Sequence, residues 1–221
     1  QFVWLDKFTI RNLELLHSPN ANAKTLIDVI DKTSSPMGSR LMRRWLSLPL
    51  KNKEQIMARY EVVDYFVNNS ELISIFEDSI RQVGDLERLI SKVSLLRVNP
   101  RELLQVARAL DQIELIKNLC AESENPALKL YAEQFNVCDS IRQRIKNVVN
   151  TEAPALISKG HFINDGVDEE LDSLRKLSRS GKDYLMDIQK RESAATGISS
   201  LKIGYNNVFG YYLEVTNLHK D

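Results

Sequence analysis

The acidic side chains that come closest to an acid–base pair lie in the stretch Gly84-Asp85-Leu86-Glu87-Arg88. Paired carboxylates act as general acid and base on one bond only when both point into the same site. Asp85 and Glu87 stand two positions apart, and on a helix that spacing sends their side chains to different sides. We therefore predict that these acids start a helix and form ion pairs.

The other side chains that could bind metals or act as nucleophiles are scattered: His17, His161, His219, Cys120 and Cys138. None has neighbours at the spacing of metal ligands, so we predict no zinc site and no disulfide, and two free thiols. The glycines do not form a phosphate-binding loop, and no nucleophile, base and orienting group recur at a suitable spacing. We expect no catalytic site in this chain.

A basic segment spans residues 40–59, where Glu54 is the single acid. Its first three arginines stand at the spacing of neighbours on one helix face. They could contact phosphates, but such a run is more often a solvated face or a set of ion-pair partners for acids elsewhere. We favour that second interpretation. The basic residues are Arg40, Arg43, Arg44, Lys51, Lys53 and Arg59.

The composition is that of a soluble globular protein, with 43% hydrophobic and 27% charged residues in 221. Thirty basic and thirty acidic side chains cancel, so any contact with nucleic acid must be local. The chain has no apolar run of the roughly 18 residues that a membrane span needs, and its start does not resemble a signal peptide. The absence of an initiator methionine suggests an excised fragment.

Hydrophobic periodicity predicts a mainly α-helical chain. Residues 8–15 alternate apolar and polar side chains, which predicts a short N-terminal edge strand. Ser35-Pro36 is a typical helix start, with a serine cap and proline in the first turn. Asn52 can cap the next helix, Pro100 opens the longest of the series, and amphipathic runs continue to about Val148.

The helical pattern relaxes between Thr151 and Gly166, which indicates a boundary near Asp165. We predict two domains, 1–165 and 166–221. The second begins with a long, mostly solvated helix from Asp168 to about Glu192, because acids suit its N-terminus and apolar residues repeat at helical spacing. Gly197 ends this helix.

The period then changes from helical to two, which predicts a β-hairpin over Leu201–Val215. Asn206-Asn207 tolerates positive φ and can hydrogen-bond its own backbone, although a longer loop would fit equally well. The hairpin aromatics could stack on bases, but packing against neighbouring elements is the more frequent role, except at the tip. An isolated hairpin is marginal in water, so we expect it to belong to a larger structure.

Five stretches, read in order, resemble the MutS family of mismatch-repair ATPases. Residues 201–212, Leu-Lys-Ile-Gly-Tyr-Asn-Asn-Val-Phe-Gly-Tyr-Tyr, look like the start of the family's clamp strands and are the most specific. The others resemble the entry to the family's core domain, its first core helix and two later landmarks. They are residues 6–15, residues 35–46 with Pro49-Leu50, residues 84–88 and residues 100–103.

The resemblance implies that residues 1–165 form a core, or lever, domain and residues 166–221 the N-terminal half of a clamp domain. The fold would be a multi-helical lever with a short N-terminal strand, then a long helix and the hairpin of an incomplete clamp. The parent protein would be a bacterial cytoplasmic, nucleoid-associated homodimer that encircles double-stranded DNA, hydrolyses ATP with Mg²⁺ and recruits a MutL-type partner. This chain would carry no cofactor, because the nucleotide-binding and mismatch-reading domains would lie outside it.

Within that scheme the hairpin would contact the DNA sugar–phosphate backbone without reading sequence. Residues 196–221 hold two basic and two acidic side chains, Lys202 and Lys220 against Glu214 and Asp221, so the grip should be weak. The alternative is a helical protein-interaction scaffold with no DNA role, which balanced charge and amphipathic helices would equally suit. The predicted DNA-binding residues are Lys202, Asn206, Asn207 and Val208.

Overall fold

The computed structural model describes residues 2–20 and 22–216. His219, Lys220 and Asp221 therefore lie outside the described residues. The chain divides into two compact units, Gln1–Asn164 and Asp165–Asp221. The assignment of two domains to a lever and a clamp stays a prediction.

The prediction of a mainly α-helical chain with a C-terminal hairpin is confirmed. The second unit holds helix α10, Glu169–Thr196, and strands β1, Lys202–Asn206, and β2, Gly210–Glu214. The first unit holds α1 (Lys7–Asn12), α2 (Leu26–Ile30), α3 (Pro36–Ser47), α4 (Lys53–Asn68), α5 (Ser70–Val83), α6 (Leu86–Ser94), α7 (Pro100–Glu122), α8 (Pro126–Gln134) and α9 (Asp139–Val148), with a 3₁₀ turn at Ile157–Lys159.

The predicted N-terminal strand over residues 8–15 is wrong, because Lys7–Asn12 form the short helix α1. The Asp6 carboxylate accepts a hydrogen bond from the Thr9 amide at 2.7 Å, which satisfies one of the free donors of the first turn. The period-two pattern had implied a buried face, yet Phe8 is 76% exposed. A local cap therefore outweighs an alternation that has no sheet to pack against.

Polar caps and prolines start the helices of the first unit where the sequence places them. The Ser35 hydroxyl caps α3 by accepting from the Gly38 amide, and the Asn52 side chain accepts from the Gln55 amide. Asn99 and Glu102 form a reciprocal capping box at the start of α7. Each cap contributes about 1 kcal/mol of stability. The predicted starts of α3, α4 and α7 are confirmed.

Helix α7 is the centre of the first unit and contributes to both of its buried clusters. It packs against α5, α6, α8 and α9. One cluster contains Phe76, Val83, Ala109, Ile116, Cys120, Leu128 and Ala132. The other contains Leu104, Val106, Ala107, Leu110, Ile145, Val149 and Ala153.

An ion-pair network joins α7 to α9. The Arg142 guanidinium is buried and pairs with Glu114 of α7 and Asp139 of its own helix. The Lys146 ammonium lies 2.6 Å from the Asp111 carboxylate. Because these pairs flank the second buried cluster, they restrict how α9 can slide along α7.

Candidate nucleic-acid interface

The hairpin of the second unit is a regular antiparallel pair closed by a short turn. Lys202 lies opposite Glu214 in the register, and Asn206 lies opposite Gly210. Residues 207–209 connect the strands, so the longer loop is found and not a two-residue turn. The expected positive φ falls on Gly210, at 75°, and not on the asparagines. Glycine adopts this left-handed conformation without a steric penalty.

The asparagine at the end of β1 stabilises the turn through its own side chain. The Asn206 Oδ1 atom accepts a hydrogen bond from the Val208 amide at 2.7 Å. The prediction that the turn asparagines bond to their own backbone is confirmed for this residue. Its side-chain oxygen is therefore committed to the turn, and the amide nitrogen is the part of the side chain left to donate to a phosphate.

The structure brings three of the four predicted DNA-binding residues together at the tip. Asn206, Asn207 and Val208 are consecutive and exposed. Lys202 begins the strand, about 13 Å from Asn206 at the usual rise of roughly 3.3 Å per residue. It shares a strand face with Asn206 and directly opposes Glu214, so the charge of the hairpin is balanced at its base.

Three of the four hairpin aromatics contact neighbours within the hairpin, although Tyr205 and Tyr211 remain 61% and 62% exposed. The Tyr205 and Tyr211 rings form a cross-strand pair with centroids 5.0 Å apart. The Tyr212 ring lies over Gly204, where an added Cβ would come within 2.6 Å of the ring atom Cζ. Phe209 differs, since it is 81% exposed at the tip. Phe209 is not among the predicted DNA-binding residues. A longer turn, which the sequence also allowed, is the signal that could have included it.

Helix α10 holds the base of the hairpin in place. The Gln189 side chain donates to the Leu201 carbonyl at 2.8 Å, and the Ser193 hydroxyl donates to the Ile198 carbonyl at 2.7 Å. Leu201 is buried beside them. Gly197 ends the helix with a positive φ of 71°, as predicted. The hairpin is thus anchored at its base and exposed at its tip.

The long helix itself begins where the sequence predicts. The Asp168 carboxylate caps it by accepting from the Leu171 amide at 2.8 Å. The Arg175 guanidinium lies 2.6 Å from the Asp165 carboxylate and 3.4 Å from that of Asp172. These contacts tie the segment before the helix to its second turn.

The basic segment of the first unit is partly neutralised. The Arg40 guanidinium lies 2.6 Å from carboxylate oxygens of both Asp85 and Glu87. Hydrogen bonds to Asp85 and then Glu87 raise the pKa of Arg40. Asp85 also caps α6 by accepting from the Arg88 amide at 3.3 Å. The predictions of ion pairing and a helix start for these acids, and of an acidic partner elsewhere for Arg40, are confirmed.

Cys120 and Cys138 are free thiols, and burial raises the pKa of Cys120. Residues 2–20 and 22–216 contain no group of His, Cys, Asp and Glu side chains that could hold a metal ion. Within the same residues, no helix is both long and apolar enough to cross a membrane.

These features define a multi-helical domain built around one long helix and followed by a second long helix that carries a β-hairpin. A family model described as MutS domain III matches residues 8–201. The chain therefore belongs to the MutS domain III family.

Curated relatives match the chain over its whole length. A protein named DNA mismatch repair protein MutS from Flavobacterium psychrophilum is 54% identical over 220 residues, which are 100% of this chain and 25% of the relative. Proteins of the same name from Bacteroides fragilis and Cytophaga hutchinsonii are 53% and 49% identical over 221 residues, 26% of each relative. The chain thus spans about a quarter of the length of these relatives.

Proposed function

We propose that this chain is the helical lever and the first half of the DNA clamp of a mismatch-repair ATPase. Membership of the MutS domain III family and the names of the relatives support this proposal. The chain would contribute no catalytic group. It would transmit displacement along its helices and place a hairpin against the DNA backbone.

The architecture of the first unit suits a lever. Helix α7 has 23 residues and is therefore about 34 Å long at 1.5 Å per residue. Buried side chains line it from Leu104 to Cys120, and a close-packed seam of this kind moves as a unit because it does not compress. In this hypothesis the buried side chains of α7 would couple the nucleotide state of the parent protein to its binding of DNA, without contacting either ligand themselves.

The observation that carries the clamp proposal is the hairpin, anchored at its base and exposed at its tip. Asn206 and Asn207 would donate to phosphate oxygens, and the exposed Val208 would lie against the sugars. Lys202 would add a weaker contact, because Glu214 opposes it across the strands. Such contacts give affinity for the backbone and carry no information about sequence.

The remaining activities would belong to the parent protein. The described residues do not fit ATP and Mg²⁺. They contain no group of side chains that could hold a metal ion, and the glycines of the sequence form no phosphate-binding loop. We infer that nucleotide hydrolysis, homodimer formation around double-stranded DNA and recruitment of a MutL-type partner involve other parts of the parent. A bacterial cytoplasmic, nucleoid-associated location accords with such a role.

The test replaces the tip asparagines in the full-length parent by aspartate. Asn206→Asp keeps the side-chain oxygen that accepts from the Val208 amide, so the turn is retained while a negative charge replaces the donor. Combined with Asn207→Asp, it should raise Kd about tenfold or more for matched and mismatched duplex alike. Filter binding or fluorescence anisotropy at fixed salt measures both affinities.

The matched control is Asn118→Asp, the same chemical change on an exposed position of α7. It should leave both affinities within about twofold, since surface changes away from a contact have small effects. Unchanged affinity of the tip variant for both duplexes would contradict the clamp proposal. That result would favour the alternative, a helical scaffold that binds proteins.

A further inference from the structure

A cavity of about 430 Å³ in the first unit combines apolar walls with two arginines. Helix α3 contributes Arg44 and Trp45, α4 contributes Arg59 and α8 contributes Tyr131. The N-terminal segment closes one side, where Phe2 forms an isolated bridge to Leu50. The cavity belongs to the helical unit and is separate in sequence from the hairpin.

The two arginines of this cavity differ from their basic neighbours in their charge partners. Nearby, Arg40 pairs with two carboxylates. The pKa of Asp31 is lowered mainly by hydrogen bonds from Ser39 and Thr33, and the charge of Arg43 lowers it further. By contrast, no carboxylate in the described part of the chain lies within ion-pair distance of Arg44 or Arg59. The residues that line the cavity include no aspartate and no glutamate.

The position of the Arg59 guanidinium leaves it available to a ligand. Its Cζ atom lies 3.5 Å from the centroid of the Trp45 ring, in a cation–π contact. A cation–π contact does not use up the N–H donors of a guanidinium, and the fork of these donors matches the two oxygens of a carboxylate. Leu41 and Tyr131 also line the cavity and provide apolar surface.

We propose that this cavity binds an acidic peptide segment of a partner protein, with a carboxylate on Arg44 and Arg59 and an aliphatic or aromatic side chain between Trp45 and Tyr131. Charge complementarity identifies the acidic part of the ligand, because two arginines line the cavity and neither has a carboxylate partner among the described residues. The apolar walls identify the other part. Intact duplex DNA presents convex rows of phosphates and has no apolar group to insert into a concave site, so a peptide is the better fit.

The experiment uses Trp45 as its own reporter. The sequence has two tryptophans, so Trp4→Phe leaves Trp45 as the single one. The probe is the capped hexapeptide Glu-Asp-Leu-Phe-Asp-Glu. One control peptide replaces the Leu-Phe pair by Gly-Gly, and a second replaces the acids by their amides. We expect a saturable change in Trp45 emission with the probe, and at least about tenfold weaker binding of each control peptide.

Variants of the chain test the two arginines. Arg44→Gln and Arg59→Gln should each raise Kd of the probe about tenfold, because each removes a charge-assisted contact. Lys53→Gln removes a charge from the same segment outside the cavity and should change Kd less than about twofold. Circular dichroism checks that each variant is folded. Arg44→Gln keeps the cation–π contact, so it remains informative if Arg59→Gln does not fold.

Two results would overturn the proposal. One is the absence of a saturable signal up to about 1 mM probe, the weakest affinity that we would assign to a specific site. The other is stronger binding of a short B-form duplex than of the probe, with the duplex affinity lost in the same two arginine variants. That outcome would identify a phosphate-binding surface in place of a peptide site.

Discussion

Replacing Gly210 with alanine should destabilise the hairpin without causing any steric clash. Gly210 has a φ of 75°, and a Cβ built on it meets nothing within 4 Å. The penalty is therefore purely conformational, about 1–2 kcal/mol for an L-residue in the left-handed region. The lower entropy of the unfolded alanine chain offsets roughly 0.5 kcal/mol of it. A net loss of about 1 kcal/mol should shift the local opening equilibrium about fivefold.

Gly181 offers a matched control with the opposite sign. It lies in the middle of α10, and a Cβ there also meets nothing within 4 Å, but its φ is outside the left-handed range. Alanine should stabilise that helix by about 1 kcal/mol, because it removes the entropic disadvantage of glycine. The same substitution at two open positions of one unit is thus expected to have opposite effects.

Native-state hydrogen exchange reports both changes locally. In Gly210→Ala the amides of residues 202–206 and 210–214 should exchange about fivefold faster, with α10 little changed. In Gly181→Ala the amides of α10 should exchange about fivefold slower. Unchanged exchange of the hairpin amides in Gly210→Ala would refute the left-handed turn. Faster exchange of α10 in Gly181→Ala would show that this face of the helix is packed.

Three further predictions concern the first unit. Leu110→Ala removes a buried side chain and should lower the free energy of unfolding by about 2–5 kcal/mol in urea titrations, whereas Leu96→Ala, at a position 92% exposed, should change it by less than about 0.5 kcal/mol. Asn125→Ala should cost about 1–2 kcal/mol in the same titrations, because the side chain caps α8 and donates to the Glu61 carbonyl at 3.2 Å. Hydrogen bonds from Ser39 and Thr33 lower the pKa of Asp31 from 3.8 to about 2, so its stabilising contribution is complete above pH 3.8 and is lost as pH falls through about 2. The difference in urea midpoint between the native chain and Asp31→Asn should therefore narrow over that range, and a constant difference would contradict the assignment.

Local signals explain what could be predicted from the sequence. Helix starts are encoded by a capping side chain and a proline within a few residues, as at Ser35 and Asn99, and both lie where the sequence indicates. The change of period after Gly197 likewise predicts the hairpin, since alternation over two runs separated by turn residues has few other structures. These features depend on neighbours in the chain and need no knowledge of the fold.

Features that depend on distant contacts could not be predicted in this way. The alternation over residues 8–15 has the period of a strand, but a strand forms only where a partner strand exists, and the local sequence does not show whether there is one. The Asp6 cap, by contrast, is a local signal that favours a helix here. The pairing of Arg40 with Asp85 and Glu87 joins positions more than forty residues apart, and the sequence could only suggest that acids elsewhere would neutralise the cluster. The exposed Phe209 follows from the length of the turn, which the Asn-Asn pair left open.

Charge limits what the hairpin can contribute to the proposed grip on DNA. Lys202 and Glu214 oppose each other, and the tip residues 206–209 are uncharged. The logarithm of the binding constant falls with the logarithm of salt concentration, and each phosphate that a protein neutralises adds about 0.9 to the steepness of this slope. This hairpin should therefore add very little to it. A strongly basic tip would hold any duplex regardless of the position of the lever. Under the proposed function a neutral tip would bind only when the clamp is closed around the backbone, because its short-range contacts would form in one arrangement and not in the other. Under the proposed function this difference in contacts is what would couple grip to the lever, since a ligand shifts a conformational equilibrium only by its differential affinity for the two states.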